Sequence, residues 1–505
     1  MKMARRSVVV MAGLVMAGSP AMAADLALGA LAPVAQVDER FQSYNVEMVE
    51  VTGGRFWAPY GGPPGERYRQ RPPIDLASPR LRALARALGP AFARVSGTWS
   101  NNSYVAGKGE TVAAPPPGFA QVLQRDQWRA VVDFAKAVDA GIVTSFAAST
   151  GTRDAAGNWQ PAQAQRLVDL TREAGGTLAA AEFFNEPNAP TAAQGMPASY
   201  TAADYGRDFK RFRDWARTAV PGMRIIGPGS VGEGTMMKAA VSAGPLGRLV
   251  SSADMLAANP GSLDAVSYHF YGSVSQRCAG LGIPTPEKDQ ALSPAWLDRT
   301  LIELDHYAAL RDQFEPGKPI WNTETAQAAC GGSPWAATFL DSFRYLNQNA
   351  VLARRGVQVV MHNTLAASDY ALIDQETLQP RPNYWAALLW RRTMGQVVLA
   401  PPVSPAPDLR LHAQCLAGGR GGVALMLMNT GTAAQTLTVG RGQAWTLAGT
   451  PIDTGAITIN GRAPMVTAAG AIAGLEGVPV DGAVTVPGQA IMFVAVPGAG
   501  NAACR

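Results

Sequence analysis

Histidine and cysteine are scarce: four of each in 505 residues. His362 and His412 have no partners at ligand spacing, and Cys278, Cys330, Cys415 and Cys504 lie too far apart for a zinc finger. No metal site is therefore expected. No Gly-rich phosphate loop follows the first strand candidate, and no Gly-x-Ser-x-Gly elbow occurs, so nothing calls for a nucleotide cofactor or a serine nucleophile. Charge is sparse at 16%. The formal net charge of +5 includes Lys2, Arg5 and Arg6; without them 40 basic residues face 38 acidic ones, leaving +2. That balance argues against nucleic acid as a partner. The densest basic cluster, "RYRQR" at Arg67 to Arg71, sits among Pro and Gly and reads as a solvated patch. Internal repeats and low-complexity tracts are absent.

The first residues, "MKMARRSVVVMAGLVMAGSPAMA", combine a basic start, a short apolar stretch and a small-residue site at Ala21-Met22-Ala23. That is the pattern of a secretory signal peptide over 1–23, too short to span a bilayer. The expectation is a secreted or periplasmic protein beginning near Ala24, with no membrane contact after cleavage.

From about residue 40 the chain alternates apolar runs with helical patterns. Strand candidates are 44–51, 91–97, 141–149, 177–184, 223–229, 264–272, 319–325 and 357–364. Between most of them lie amphipathic helices. In "SPRLRALARALG", Ser78 is a natural N-cap, Pro79 suits the first turn and Gly89 the stop, with Leu81, Leu84, Ala85 and Leu88 on one face. "PNYWAALLWRRTMG" closes the series at Gly395. Eight β-then-α units predict an α/β fold, a (β/α)8 TIM barrel over 40–395.

After about residue 396 the texture changes to short strands between turns: "LRLHAQCLA", "GVALMLMNTG", "AQTLTVG" and "QAIMFVAVP". This predicts a C-terminal antiparallel β-sandwich over 396–505, to which the segment 24–39 can add a strand. Export permits disulfides. Cys278–Cys330 and Cys415–Cys504 are the favoured pairs, each staying within one domain, with the other two pairings left open.

In a barrel of this type, catalytic side chains sit where strands end. Asn185 and Glu186, in "AEFFNEPNAP", follow the fourth strand; Glu324, in "PIWNTETAQAACGG", follows the seventh. His269 and Tyr271 lie at the end of the sixth, Thr98 at the end of the second, and Glu47 within the first. A lone Asn-Glu-Pro is ordinarily a turn with a solvated acid, and a lone His a satisfied core residue. Trp99 and Trp335 could stack on sugars, though packing is the usual fate of one Trp. Two acids facing each other across one barrel mouth are a different matter. Glycoside hydrolysis needs such a pair, about 5–5.5 Å apart when the mechanism is retaining.

"LASPRLRALARALGPAFARVSGTW", "NEPN", "TETAQAACGG" and "GVQVVMHNTLAASDYALID" resemble the corresponding segments of the heparanase and β-glucuronidase family of retaining glycoside hydrolases. The resemblance covers about 40–395. It implies Glu186 as acid/base, Glu324 as nucleophile and Asn185 on the sugar 2-hydroxyl. His269 and Tyr271 match the family's His and Tyr beside the nucleophile. Tyr370 and the backbone N–H groups of Gly331 and Gly332 match groups that bind a uronic carboxylate, and Glu47 and Thr98 match pocket-lining polar residues. The glycine pair stands one residue further from Glu324 than the pattern has it, after Cys330, whose bond to Cys278 would staple the sixth and seventh loops.

No segment resembles the excised linker of the animal heparanases, and no strong basic cluster flanks the cleft. The expectation is thus an exo-acting β-glucuronidase without cofactor, whose partner is a glucuronic-acid-containing oligosaccharide or glycoside. Endo-action on heparan-type chains, action on a xyloside or arabinoside, and a non-catalytic glycan-binding barrel remain as alternatives.

Overall fold

The computed structural model describes residues 24–63, 65–192, 195–238 and 247–505; the signal peptide read over 1–23 lies outside the described residues. Eight strands close a parallel barrel: β1 (Gln42–Glu47), β2 (Ala91–Ser96), β3 (Ala140–Ser145), β4 (Leu178–Glu182), β5 (Arg224–Val231), β6 (Ala265–Tyr271), β7 (Ile320–Ala326) and β8 (Val359–His362). Each pairs with its sequence neighbours, and β8 pairs with β1 to complete the ring.

The barrel interior is layered because successive side chains of a strand face opposite sides. Phe92, Val143, Ala180, Ile226, Ala265, Trp321, Val359 and Met361, drawn from seven strands, touch one another and form an apolar floor. Two residues further along β2 and β4 stand Arg94 and Glu182; one step beyond the floor on β6 and β7 stand Ser267 and Thr323. All four are buried. A strand with one face in the helix shell and one in the barrel core is buried on both, so its hydropathy does not reveal which parity points inward.

The helices follow from capped amphipathic patterns. In α1 (Pro79–Ala87) the Ser78 hydroxyl accepts the Leu81 N–H at 3.4 Å, and Leu81, Leu84 and Ala85 are buried. α2 (Phe339–Arg354) and α3 (Pro382–Thr393) are buried on nearly all sides. Their outer faces are covered by the second domain.

That domain is a largely antiparallel sheet: β9 (Met394–Leu399), β10 (Leu409–Leu416), β11 (Val423–Asn429), β12 (Gln435–Ala448), β13 (Val478–Val486) and β14 (Ala490–Val496). Long β12 pairs with β13 along its first part and with β14 along its last, so one continuous sheet folds over a core that includes Leu411, Leu425, Leu437, Val484 and Val494. The alternate residues of β11, Ala424, Met426 and Met428, join the barrel's core instead. Pro33–Gln36 pairs with β9, which supplies the strand anticipated from the N-terminal segment. Both favoured disulfides are present, Cys278–Cys330 and Cys415–Cys504.

Three local readings need correction. The first strand stops at Glu47 rather than 51: the Glu50 carboxylate accepts the Glu47 N–H at 2.7 Å and starts a short helix, Met48–Thr52. At Gly395 the chain does not turn, since Thr393 ends α3 and Met394 already belongs to β9. "RYRQR" is not a loose patch. Tyr68–Arg71 pairs with Gly54–Trp57 in a hairpin, Arg69 binds Glu66, and Arg71 is buried against Gln375.

Candidate active site

Glu324 lies in β7 with its side chain in the barrel mouth. Tyr271 O–H donates to its Oε1 at 2.6 Å and Arg94 Nη1–H to its Oε2 at 2.7 Å. Burial raises a carboxyl pKa, but here the charges of His269 and Arg94, with the two hydrogen bonds, outweigh it and hold Glu324 below its ordinary value.

Glu186 follows β4 in the left-handed region, at φ 50°, an uncommon place for a residue with a side chain. Asn101 steadies the approach: its side chain accepts the Asn185 N–H at 2.8 Å and donates to the Asn185 carbonyl at 2.9 Å. Burial, then the charge of Glu324, raise the Glu186 pKa against an opposing hydrogen bond from His269. The two acids are thus driven apart, the arrangement that assigns one as proton donor and the other as anion.

His269, on β6, sits between them. Its Nδ1 is 3.2 Å from Glu186 Oε1 and 3.7 Å from Glu324 Oε2. Burial disfavours the imidazolium, but Glu324's charge and the neighbouring carboxylates of Glu182 and Glu186 overcome both that and Arg94, and the pKa is pushed up to about 9. Its Nε2 lies 3.1 Å from Arg94 Nη2. One donor atom from each of Glu186, His269 and Glu324 lies within 4.8 Å of the other two. With Arg94 against both Glu324 and His269, the cluster is built as ion pairs around a guanidinium rather than as a cage for a cation.

Above these groups opens a cavity of about 560 Å³, with Glu47, Glu186, Glu324 and Asn363 among its polar walls and Trp57, Tyr68 and Trp99 among its aromatic ones. Asn363 Nδ2 ties the floor together, sharing its two hydrogens among Tyr271 at 2.8 Å, Tyr370 at 3.1 Å and Glu47 Oε1 at 3.1 Å.

No family model matches the chain. Heparanase-like protein 1 of Arabidopsis thaliana is 26% identical over 380 residues, covering 70% of this chain and 65% of that protein. Mouse heparanase is 27% identical, covering 67% of this chain and 68% of its own. The chain is a homologue of the heparanases. It thus spans about two thirds of the length of these relatives. A hyaluronoglucuronidase of the leech Hirudo nipponia is 22% identical over 68% of this chain and 70% of its own. Among solved structures, a rhamnosyl-glucuronidase from Fusarium oxysporum superposes with TM-score 0.64 at 15% identity, covering 92% of this chain and 97% of that one. That likeness is one of fold: a closed parallel barrel carrying an added antiparallel sheet domain.

Against the heparanase-like pattern, most expected residues converge. Glu186, Glu324, Tyr271, Tyr370, Glu47 and Thr98 line the cavity. Asn185 and His269 are buried beneath it and do not line it; Asn185 Oδ1 accepts from Arg94 Nη2 at 2.8 Å. The glycine pair is a correction. Gly332 N–H donates to the Ala328 carbonyl at 3.1 Å, so it is not offered to a ligand. Neither Gly331 nor Gly332 lines the cavity, although Cys330 does. Both glycines have positive φ, 82° and 85°, and β-carbons there would press on Trp57 and Ala336 at 2.8 Å. They serve close packing.

Of the two tryptophans, Trp99 lines the cavity and Trp335 packs on Trp296. Sequence reasoning missed Arg94, Glu182, Asn101 and Asn363. The available signal was an Arg within the apolar "AFARVSG" and a Glu within "LAAAEFF".

Proposed function

We propose that the protein is a secreted, retaining β-glucuronidase that removes terminal β-linked glucuronic acid. The observation that carries this reading is the pair Glu186 and Glu324: carboxylate oxygens within 4.8 Å, one acid's pKa raised and the other's lowered. Carboxylate oxygens this close match the short separation of retaining enzymes rather than the roughly 6.5–9.5 Å of inverting ones, and so support double displacement. Glu324 attacks the anomeric carbon while Glu186 gives its proton to the departing glycosidic oxygen. The covalent glycosyl-enzyme then meets a water, which Glu186, now a carboxylate, deprotonates as it attacks the anomeric carbon and releases Glu324.

Glucuronate as the sugar is supported by the relatives, a hyaluronoglucuronidase and heparanases among them. Tyr370 supports it too: its oxygen accepts from Asn363, so its own proton can point to a ligand carboxylate. Exo-action is supported by the walls, where Arg55 is the one Lys or Arg among the described lining residues. A long sulfated polyanion would call for more cations. Export is supported by the leader pattern together with two disulfides.

Turnover of a panel of aryl β-glycosides tests the reading. Glucuronide should be cleaved in preference to glucoside, xyloside and galactoside, and Glu324→Gln should retain roughly 10⁻⁴ of wild-type activity or less with the fold intact. Full activity in that variant would sink the assignment. Sizing the products from a glucuronate-containing oligosaccharide separates monosaccharide release from internal cleavage.

A further inference from the structure

Glu182 precedes Glu186 by four residues yet does not reach the cavity. It is fully buried among five elements. Its Oε2 accepts Arg94 Nε–H at 3.0 Å and Arg94 Nη2–H at 2.7 Å, from β2. Its Oε1 accepts the hydroxyls of Ser267 on β6 at 2.8 Å and Thr323 on β7 at 2.6 Å. His269 Nε2 is 3.8 Å from the same oxygen. Tyr205, on the helix Ala202–Ala219, also feels its charge. On the fifth side β5 makes room: Gly229 has φ 73°, the strand's register against β6 shifts there, and a β-carbon would lie 2.8 Å from the Glu182 carboxylate.

A guanidinium can offer the two N–H groups of one edge to a single carboxylate, here both to one oxygen, and a carboxylate so gripped is a partner rather than a nucleophile. Arg94 is within reach of both Glu182 and Glu324. Its Nε–Nη2 edge is taken by Glu182, with Asn185 on the same Nη2, and Glu324 receives one hydrogen bond, from Nη1.

We propose that Glu182 is a positioning residue: it holds the Nε–Nη2 edge of Arg94, so that Glu324 receives one hydrogen bond from the guanidinium and keeps a free face for attack. This rests on the reading of Glu324 as nucleophile. Glu182 also sets the charge of the site: its anion raises the proton affinity of His269, and a buried anion acts in the same direction on Glu324 and Glu186, which flank that ring.

Glu182→Gln tests both effects. kcat on an aryl β-glucuronide should fall about 10²-fold with KM little changed. Both limbs of the pH profile should move acidward by about one unit, because one buried anion has been removed from beside both acids. In the same protein without substrate, the His269 ring titration followed by NMR should fall by about one unit. A merely structural residue would lower the rate without moving limbs or imidazole. Glu182→Asp keeps the charge on a shorter stem, so limbs and imidazole should stay in place while kcat drops.

A folded Glu182→Gln protein with limbs and imidazole unmoved overturns the proposal. If that variant does not fold, wild-type kcat in Glu182→Asp overturns it instead. Wild type inert on every glucuronide would defeat the glucuronidase reading alone, because the imidazole titration needs no substrate.

Discussion

A β-carbon on Gly97 would lie 1.6 Å from Oε2 of Glu47. The carboxyl of Glu47 occupies the space a side chain would take, and Gly97 adopts φ 90° beside it. Asn363 donates to the other oxygen, while Oε2 is buried and has no partner among the described residues. Burial, followed by the charge of Glu324, raises the Glu47 pKa well above its ordinary value. Glu47 therefore holds its proton more tightly than an ordinary carboxyl does, on the wall of the cavity.

Gly97→Ala should displace that carboxyl and strain the backbone. We expect kcat/KM on an aryl β-glucuronide to fall about 10²-fold, with destabilisation of about 1–3 kcal/mol in urea titrations. Unchanged kinetics would mean that Glu47 takes no part in binding.

The opposed shifts of Glu186 and Glu324 set a pH dependence. Glu324 must be ionised, and its lowered pKa places the acid limb below the ordinary carboxylate range. Glu186 must be protonated, and its raised pKa places the basic limb above that range. In Glu186→Ala, a dinitrophenyl glucuronide, whose leaving group needs no proton, should still form the glycosyl-enzyme with no basic limb. A glucuronide with a poor leaving group should lose about 10³-fold. Persistence of the basic limb in burst kinetics would assign it to another group.

Glu50 predicts a stability effect away from the chemistry. Burial pushes its pKa up to about 8, and its Oε1 has no partner among the described residues. The folded state thus holds a proton that the unfolded chain releases near the ordinary value of 4.5. Stability falls as pH rises from there to about 8 and is level beyond. Glu50→Gln should remove that slope and stabilise the protein at pH 8 by on the order of a few kcal/mol, read as Tm against pH.

The two disulfides should differ in what they protect. Cys278–Cys330 closes 52 residues and Cys330 lines the cavity; Cys415–Cys504 closes 89 residues in the sheet domain. Replacing either pair with serines should cost up to about 4 kcal/mol by loop entropy. A raised KM is expected for the first pair alone. Equal KM values in both variants would show that the stapled loops do not shape the cavity.

Much of the frame was legible locally. Ser78 and Pro79 announce α1, eight apolar runs announce eight strands, and turn residues announce the sheet strands. The misreadings fall where tertiary contacts override the local pattern. "YNVEMVEV" continues as an apolar run past Glu47, but the Glu50 carboxylate turns the backbone into a helix there. "RYRQR" looks solvated until its pairing with Gly54–Trp57 is seen. Gly331 and Gly332 look like a ligand cradle until the Ala328 carbonyl claims one N–H and Trp57 and Ala336 crowd the α-carbons.

The sequence alone determined the order of the strands and the placement of Glu186 and Glu324 at the ends of the fourth and seventh, because periodicity and turn residues act over short stretches of chain. Barrel closure decided the rest. It chose which parity of each strand faces inward, and so placed Arg94 between Glu182 and Glu324 and His269 beside Glu186. Those contacts join residues far apart in sequence, and the opposed pKa shifts of the two acids depend on burial and neighbouring charge, which exist only once the ring is closed.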